Sequence, residues 1–97
     1  MINLDLIKQA SERIAGHAIR TPMATSAALS ERIGTEVYLK LEHYQLTGSF
    51  KLRGATNAVL LLSQLERERG VIAASTGNHG RALSYAARAV GSRATIC

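Results

Sequence analysis

Two short stretches hold residue types whose order could do chemistry: "GSFKLRGA" at 48–55 and "STGNHG" at 75–80. In the first, Lys51 follows an aromatic residue and stands at the start of an apolar repeat. Leu52, Ala55, Val59 and Leu62 recur every three or four residues, and Ser49 is placed to cap the helix they predict. A cation in a first helical turn meets the unfavourable end of the helix dipole and lies beside unpaired backbone N–H groups. Dipole and desolvation together favour a neutral amine, and a neutral lysine is a nucleophile that forms a Schiff base with an aldehyde. Most helix-face lysines are simply solvated, so it is position rather than residue type that singles Lys51 out. Phe50 reads equally as a wall of that pocket or as a core anchor.

The second stretch follows an apolar run, "VIAA" at 71–74, and opens another helical pattern. Its N–H groups would converge at the carboxyl edge of a parallel sheet, where α/β folds place ligands and an anion is well held. Ser75, Thr76 and Asn78 add side-chain donors, and Gly77 and Gly80 allow close backbone approach. The plainer alternative is that Ser75 or Thr76 only caps the helix. The spacing matches neither a Walker loop nor the dinucleotide glycine fingerprint. His79 is open to three readings, as a ligand, a base or a packed helix residue; His17 and His43 receive no role.

These stretches need elements to position them. Ile7, Ala10 and Ile14 predict a first amphipathic helix over 4–15, closed by Gly16. A turn at Pro22 and a short helix capped by Ser26, with Leu29 and Ile33 on one face before Gly34, suggest a helix-turn-helix arm. Alternation in "EVYLKLE" at 36–42 predicts a half-buried strand, and the uniformly apolar "VIAA" predicts one covered on both faces. A helix through "GRALSYAARAV", with small residues Gly80, Ala82, Ala86 and Ala89 for close packing, precedes a last strand in "RATIC". Strand, helix, strand, helix, strand implies right-handed βαβ units in a mainly parallel sheet.

Composition narrows the function classes. The 97 residues suit one small domain, and 46% hydrophobic with 20% charged content is that of a globular chain. The net charge of +5 comes from cations scattered between Lys8 and Arg93, with four aromatic residues in all, which does not describe a nucleic-acid surface. No apolar run approaches the ~20 residues of a membrane span. The single cysteine, Cys97, permits no intrachain disulfide and fits a reducing, cytoplasmic setting.

Three stretches, "RTPMATSAAL", "VYLKLEHYQLTGSFKLRGATNAV" and "ASTGNHGRALSYAAR", cover most of residues 20–90. In that order they resemble the N-terminal part of the fold type II pyridoxal-phosphate enzymes, most closely the threonine/serine dehydratase and serine racemase group. The resemblance implies a tryptophan-synthase-β-like α/β fold, here a βαβαβ parallel sheet preceded by helices. It also implies that residues 1–97 are the N-terminal fragment of a catalytic domain whose remainder is absent.

It further implies that Lys51 carries pyridoxal 5'-phosphate as a Schiff base and works as acid and base at the substrate α-carbon. Asn78 would bond the cofactor's ring hydroxyl, and Phe50 would flank the ring. Ser75, Thr76, Gly77, Asn78 and His79 would receive the α-carboxylate of a small amino-acid substrate. The implied reaction is β-elimination of a hydroxyamino acid to a 2-oxo acid and ammonia, with the cofactor as electron sink. In relatives that racemise serine, the loop's second residue is a serine acting on the opposite cofactor face. Thr76 stands there in this chain, so a racemase is the alternative, and a non-catalytic remnant of the family is another. The glycine-rich phosphate loop and the residue facing the pyridine nitrogen are not in the sequence, which implies a fragment inactive alone. The parent enzyme is expected to be a homo-oligomer.

Overall fold

The structure, a computed structural model, describes residues 1–97 throughout. In chain order it contains α1 (Leu4–Ile14), β1 (Met23–Thr25), α2 (Ala27–Ile33), β2 (Tyr38–Lys40), a 3₁₀ turn (Glu42–Tyr44), α3 (Lys51–Leu60), α4 (Gln64–Arg69), β3 (Val71–Ala73), α5 (Asn78–Ala89) and β4 (Ala94–Ile96). The class is α/β, with small sheets. Local chemistry explains several boundaries. The Asn3 side chain accepts from the Leu6 N–H to open α1, and Ser26 accepts from the Leu29 N–H to open α2. Gly34 closes α2 at φ +80°, a conformation that glycine adopts without steric cost.

β3 and β4 pair in parallel, with Val71 opposite Ala94 and Ala73 opposite Ile96, and α5 makes the crossover between them. This is the βαβ unit expected from the sequence. The first strand of the expected series behaves differently. β2 pairs antiparallel with β1, Met23 opposite Lys40, in a separate two-stranded sheet. The reason lies in the short insert between them. The Ser26 N–H donates to the Val37 carbonyl and the Val37 N–H donates to Ser30 Oγ, so β1, α2 and β2 close on each other as one local unit. The expected helix-turn-helix arm is thus a strand-helix-strand unit. Pro22 stands just before β1 and offers only its carbonyl, which accepts from the Leu41 N–H.

The core lies between two helices. Leu52, Ala55 and Val59 of α3 meet Ala82, Leu83 and Ala86 of α5, with Ala18, Val71, Ala73 and Val90 packed around them. The helix expected to reach Leu62 ends at Leu60, because Ser63 and Glu66 form a capping box that starts α4. Gly70 then turns at φ +89°, where an added Cβ would stand 2.7 Å from the Arg93 carbonyl oxygen. Gly80 is equally constrained, since a Cβ there would meet Ile96 Cγ2 at 2.8 Å. That contact is how α5 seats on β4.

Outside this core the chain buries little. The radius of gyration is 16.1 Å, against about 13 Å for a compact domain of 100 residues. β3 was expected to be covered on both faces, yet Ile72 is 72% exposed. Val71 and Ala73 pack on the helical core, and strand alternation turns Ile72 to the opposite face, on which no layer lies. β2 likewise is exposed at all three residues rather than half-buried.

Two substitutions test this packing by denaturant unfolding. Leu52→Ala, at a fully buried position, should cost about 2–5 kcal/mol. Gly70→Ala should cost about 1–3 kcal/mol through backbone strain and the Arg93 clash. An unchanged midpoint for Gly70→Ala would contradict the close approach of the two segments.

Candidate active site

α3 and α5 run in the same direction. Gly48, three residues before α3, lies beside Arg81 in the first turn of α5; a Cβ on Gly48 would be 3.8 Å from Arg81 Nη1. At the far end, Leu60 shares a cavity wall with Ala86, Ala89 and Val90. Both N-termini therefore open at one end of the helical layer, which brings Gly48 of the first stretch beside Arg81, one residue past the second. The Ser75 N–H donates to the Cys97 carbonyl at 3.0 Å, so the Ser75 loop leaves directly from the carboxyl end of β3.

Lys51 is the first residue of α3 and is exposed. The desolvation expected from the sequence is therefore not present at this position. Phe50 is 64% exposed and occupies the N-cap position with helical backbone angles, so it anchors no core among these 97 residues. Ser49 does not cap the helix. A capping side chain needs an extended residue at the N-cap, whereas Phe50 already has φ −63° and its carbonyl accepts from the Arg53 N–H at 3.0 Å. Ser49 Oγ and Thr47 Oγ1 are instead buried without a hydrogen-bond partner, on either side of Gly48 at φ +78°. The "TGS" run before the lysine was the sequence signal for these two hydroxyls.

The Ser75 hydroxyl has a definite local task. Ser75 Oγ accepts from the Gly80 N–H at 2.9 Å and from the Gly77 N–H at 3.3 Å. The capping alternative is therefore correct for Ser75, acting from two positions before the N-cap Gly77. With those two amides satisfied, the N–H groups of Thr76, Asn78 and His79 have no acceptor. Thr76, Gly77, Asn78 and His79 are all exposed. The loop presents free donors at a helix N-terminus, an arrangement that suits an anion.

A polar cluster that sequence reasoning passed over holds the start of α3. Arg53 donates from Nε to Glu42 Oε2 at 3.0 Å and from Nη2 to Glu42 Oε1 at 2.7 Å, a two-point pair. Thr21 Oγ1 also donates to Glu42, and Arg53 Nη2 reaches the Ile19 carbonyl at 3.2 Å. Buried Gln45 exchanges two bonds of 2.9 Å with the Ile19 backbone. Lys40 Nζ donates to the Thr21 carbonyl. The hydrogen bonds from Arg53 hold the Glu42 carboxyl down at about 2, against the opposing effect of its partial burial, with the Thr21 hydroxyl assisting.

The chain matches the family model described as "Pyridoxal-phosphate dependent enzyme" over residues 14–97. It belongs to that family. A Sinorhizobium fredii protein, inferred to be a threonine dehydratase, is 71% identical over 96 residues, spanning 99% of this chain and 29% of that protein. The L-threonine ammonia-lyase of Thermotoga maritima is 50% identical over 99% of this chain and 24% of its own length. The crystal structure of serine racemase from Dictyostelium discoideum superposes with a TM-score of 0.90 at 42% identity, covering 98% of this chain and 31% of that one. The chain therefore spans under a third of the length of these relatives. As a family member it carries the fold type II arrangement in its first segments, and the strand-helix-strand unit β1–α2–β2 is part of it.

The Glu42 shift fixes the sign of one pH dependence. Its folded value, about 2, lies below the ordinary 4.5. Its contribution to stability is thus complete above about pH 4.5 and is lost as pH falls toward about 2. Across that window Glu42→Gln should flatten the decline of Tm with acid, while lowering Tm at pH 7. Equal acid slopes for the two proteins would contradict the pairing.

Proposed function

We propose that this chain is the N-terminal part of the catalytic domain of an amino-acid ammonia-lyase. The enzyme would use pyridoxal 5'-phosphate to convert L-threonine or L-serine to a 2-oxo acid and ammonia. The observation that carries the reading is the convergence of Lys51 and the Ser75–His79 loop at the parallel N-termini of α3 and α5. The names of the relatives, threonine dehydratase and L-threonine ammonia-lyase, supply the reaction class.

The residues at this end suit the cofactor. An exposed primary amine stands next to an exposed aromatic ring, two buried hydroxyls lack partners, and three loop amides lack acceptors. When bound, the cofactor supplies the electron sink that makes a substrate α-proton acidic. Lys51 Nζ would hold the aldehyde carbon and afterwards remove the proton from the substrate Cα. Phe50 would cover one edge of the ring, and Asn78 would donate to its phenolic oxygen. The N–H groups of Thr76 and His79 would orient the substrate carboxylate, with the Thr76 hydroxyl as a further donor. Ser75 would keep Gly77 and Gly80 in place so that these amides stay free. Such a set works by orientation and charge placement.

The same loop supports a second reading. The exposed hydroxyl of Thr76 could exchange a proton at Cα from the opposite side, and a serine racemase is among the structural matches. The exposed single thiol, Cys97, is consistent with a cytoplasmic enzyme, and the relatives' greater lengths support a parent chain with further segments. No helix is long and apolar enough to cross a membrane.

The test uses the full-length gene product. Borohydride reduction in the presence of the cofactor should leave a pyridoxyl group on Lys51, and the protein should release 2-oxo acid from L-threonine or L-serine. Lys51→Ala should abolish both. Turnover retained in Lys51→Ala would overturn the assignment, and D-serine accumulating faster than pyruvate would replace the lyase with the racemase.

A further inference from the structure

Helix α3 begins in an unusual way for this molecule. α1, α2 and α4 are each opened by a side chain, Asn3, Ser26 and Ser63 respectively, that accepts from a first-turn N–H. α5 has Ser75 Oγ on two of its N-terminal amides. α3 has no side-chain cap, and its preceding hydroxyls at Thr47 and Ser49 are unpartnered. The first turn that carries Lys51 is held from one side by something else.

That something is Arg53. Residues 51 and 53 are about 200° apart around a helix, and the core residues Leu52, Ala55 and Val59 fall between them. Lys51 and Arg53 thus leave α3 from opposite flanks of its buried face. On the Arg53 flank, the two-point bond to Glu42 ties the helix to the 3₁₀ turn, and Thr21, Gln45 and the Ile19 carbonyl tie that turn to the segment before β1. The loop 43–50 is therefore closed at both ends by one ion pair. Without it, the first turn loses its side-chain tie on this flank, and any roll of the helix about its core contact turns Lys51 with it.

We infer that Glu42 and Arg53 are positioning residues for Lys51, setting the direction in which its amine leaves α3 toward the Ser75–His79 loop. The inference rests on the proposed role of Lys51. Neither residue needs to touch substrate or cofactor for this. A bidentate guanidinium is needed because a single bond at one point would leave rotation free. Lysine at 53 keeps the charge and loses that geometry.

The test compares Arg53→Met, Arg53→Lys and Glu42→Gln with Val59→Ala, a core truncation at the other end of α3 that serves as a destabilised control. Each protein is incubated with pyridoxal 5'-phosphate and reduced with borohydride. Peptide mass spectrometry then gives the rate of labelling at Lys51 relative to Lys8 and Lys40. Hydrogen exchange of residues 46–53 and Tm are measured on the same samples without cofactor.

Both Arg53 variants should lose relative labelling at Lys51 on the order of tenfold or more and exchange faster across 46–53. Val59→Ala, at matched or lower Tm, should keep the Lys51 preference. Labelling that falls in Val59→Ala in proportion to Tm, or persists in Arg53→Met, overturns the inference and leaves the pair a purely stabilising one. If Arg53→Met does not fold, Arg53→Lys and Glu42→Gln decide in the same way. Absence of any Lys51 preference in the unmodified protein would instead sink the proposed role of Lys51. Hydrogen exchange then decides the positioning alone: local loosening at 46–53 in the Arg53 variants supports it, and uniform loosening overturns it.

Discussion

The packing of α3 against α5 is the contact on which the other features depend. Leu52, Ala55 and Val59 meet Ala82, Leu83 and Ala86, and alanine on the facing surface lets the two helices approach closely. Because they run in parallel, their unpaired N–H groups and positive dipole ends lie together. Ordinary packing physics thus creates a locus that favours negative charge, and the amine of Lys51 and the amides of Thr76, Asn78 and His79 occur at it. The strands then fix the helices axially: Gly80 seats α5 on Ile96, and Gly70 lets β3 begin against Arg93.

The division of polar labour at this end is informative. Ser75 spends its oxygen on Gly77 and Gly80, which are not available to a ligand, while neighbouring amides remain free. Around α3 the reverse holds: hydroxyls stand free and a more distant ion pair supplies the constraint. Each solution leaves polar groups without protein partners close to Lys51. Unpartnered polar groups are costly when buried, and the Thr47 and Ser49 hydroxyls are two such groups. The Glu42–Arg53 pair stands at the other extreme, with its lone pairs and donors engaged by Thr21 and the Ile19 carbonyl, as a partly buried charge pair requires.

Exposure elsewhere follows from how few layers the chain contains. A parallel strand pair is ordinarily covered on both faces, yet β3 and β4 receive a helix on one face only, which leaves Ile72 in solvent. The relatives are three to four times as long as this chain, consistent with further chain covering that face in them.

Local pattern was enough for the features governed by nearest neighbours. Helix starts at Ser26, the stop at Gly34, the βαβ order around α5 and the Lys51 and Asn78 stretches were legible because caps, turn glycines and 3.6-residue periodicity act within a few residues. The partner of β2 was not legible, since strand pairing depends on segments brought together over a distance, and Ser30 with Val37 decided it. Burial of Ile72 was overestimated for a related reason: an apolar run records that a face is meant to be covered, not whether a layer lies on it. Ser49 was misread as a cap because residue type suggests a cap while backbone angle determines it. The Glu42–Arg53 pair joins residues 11 apart through a turn that no periodicity announces. The neighbours of Lys51 single it out in the sequence, but which way its amine points is a property of the packed helix, because rotation of α3 is set by contacts on its other flanks.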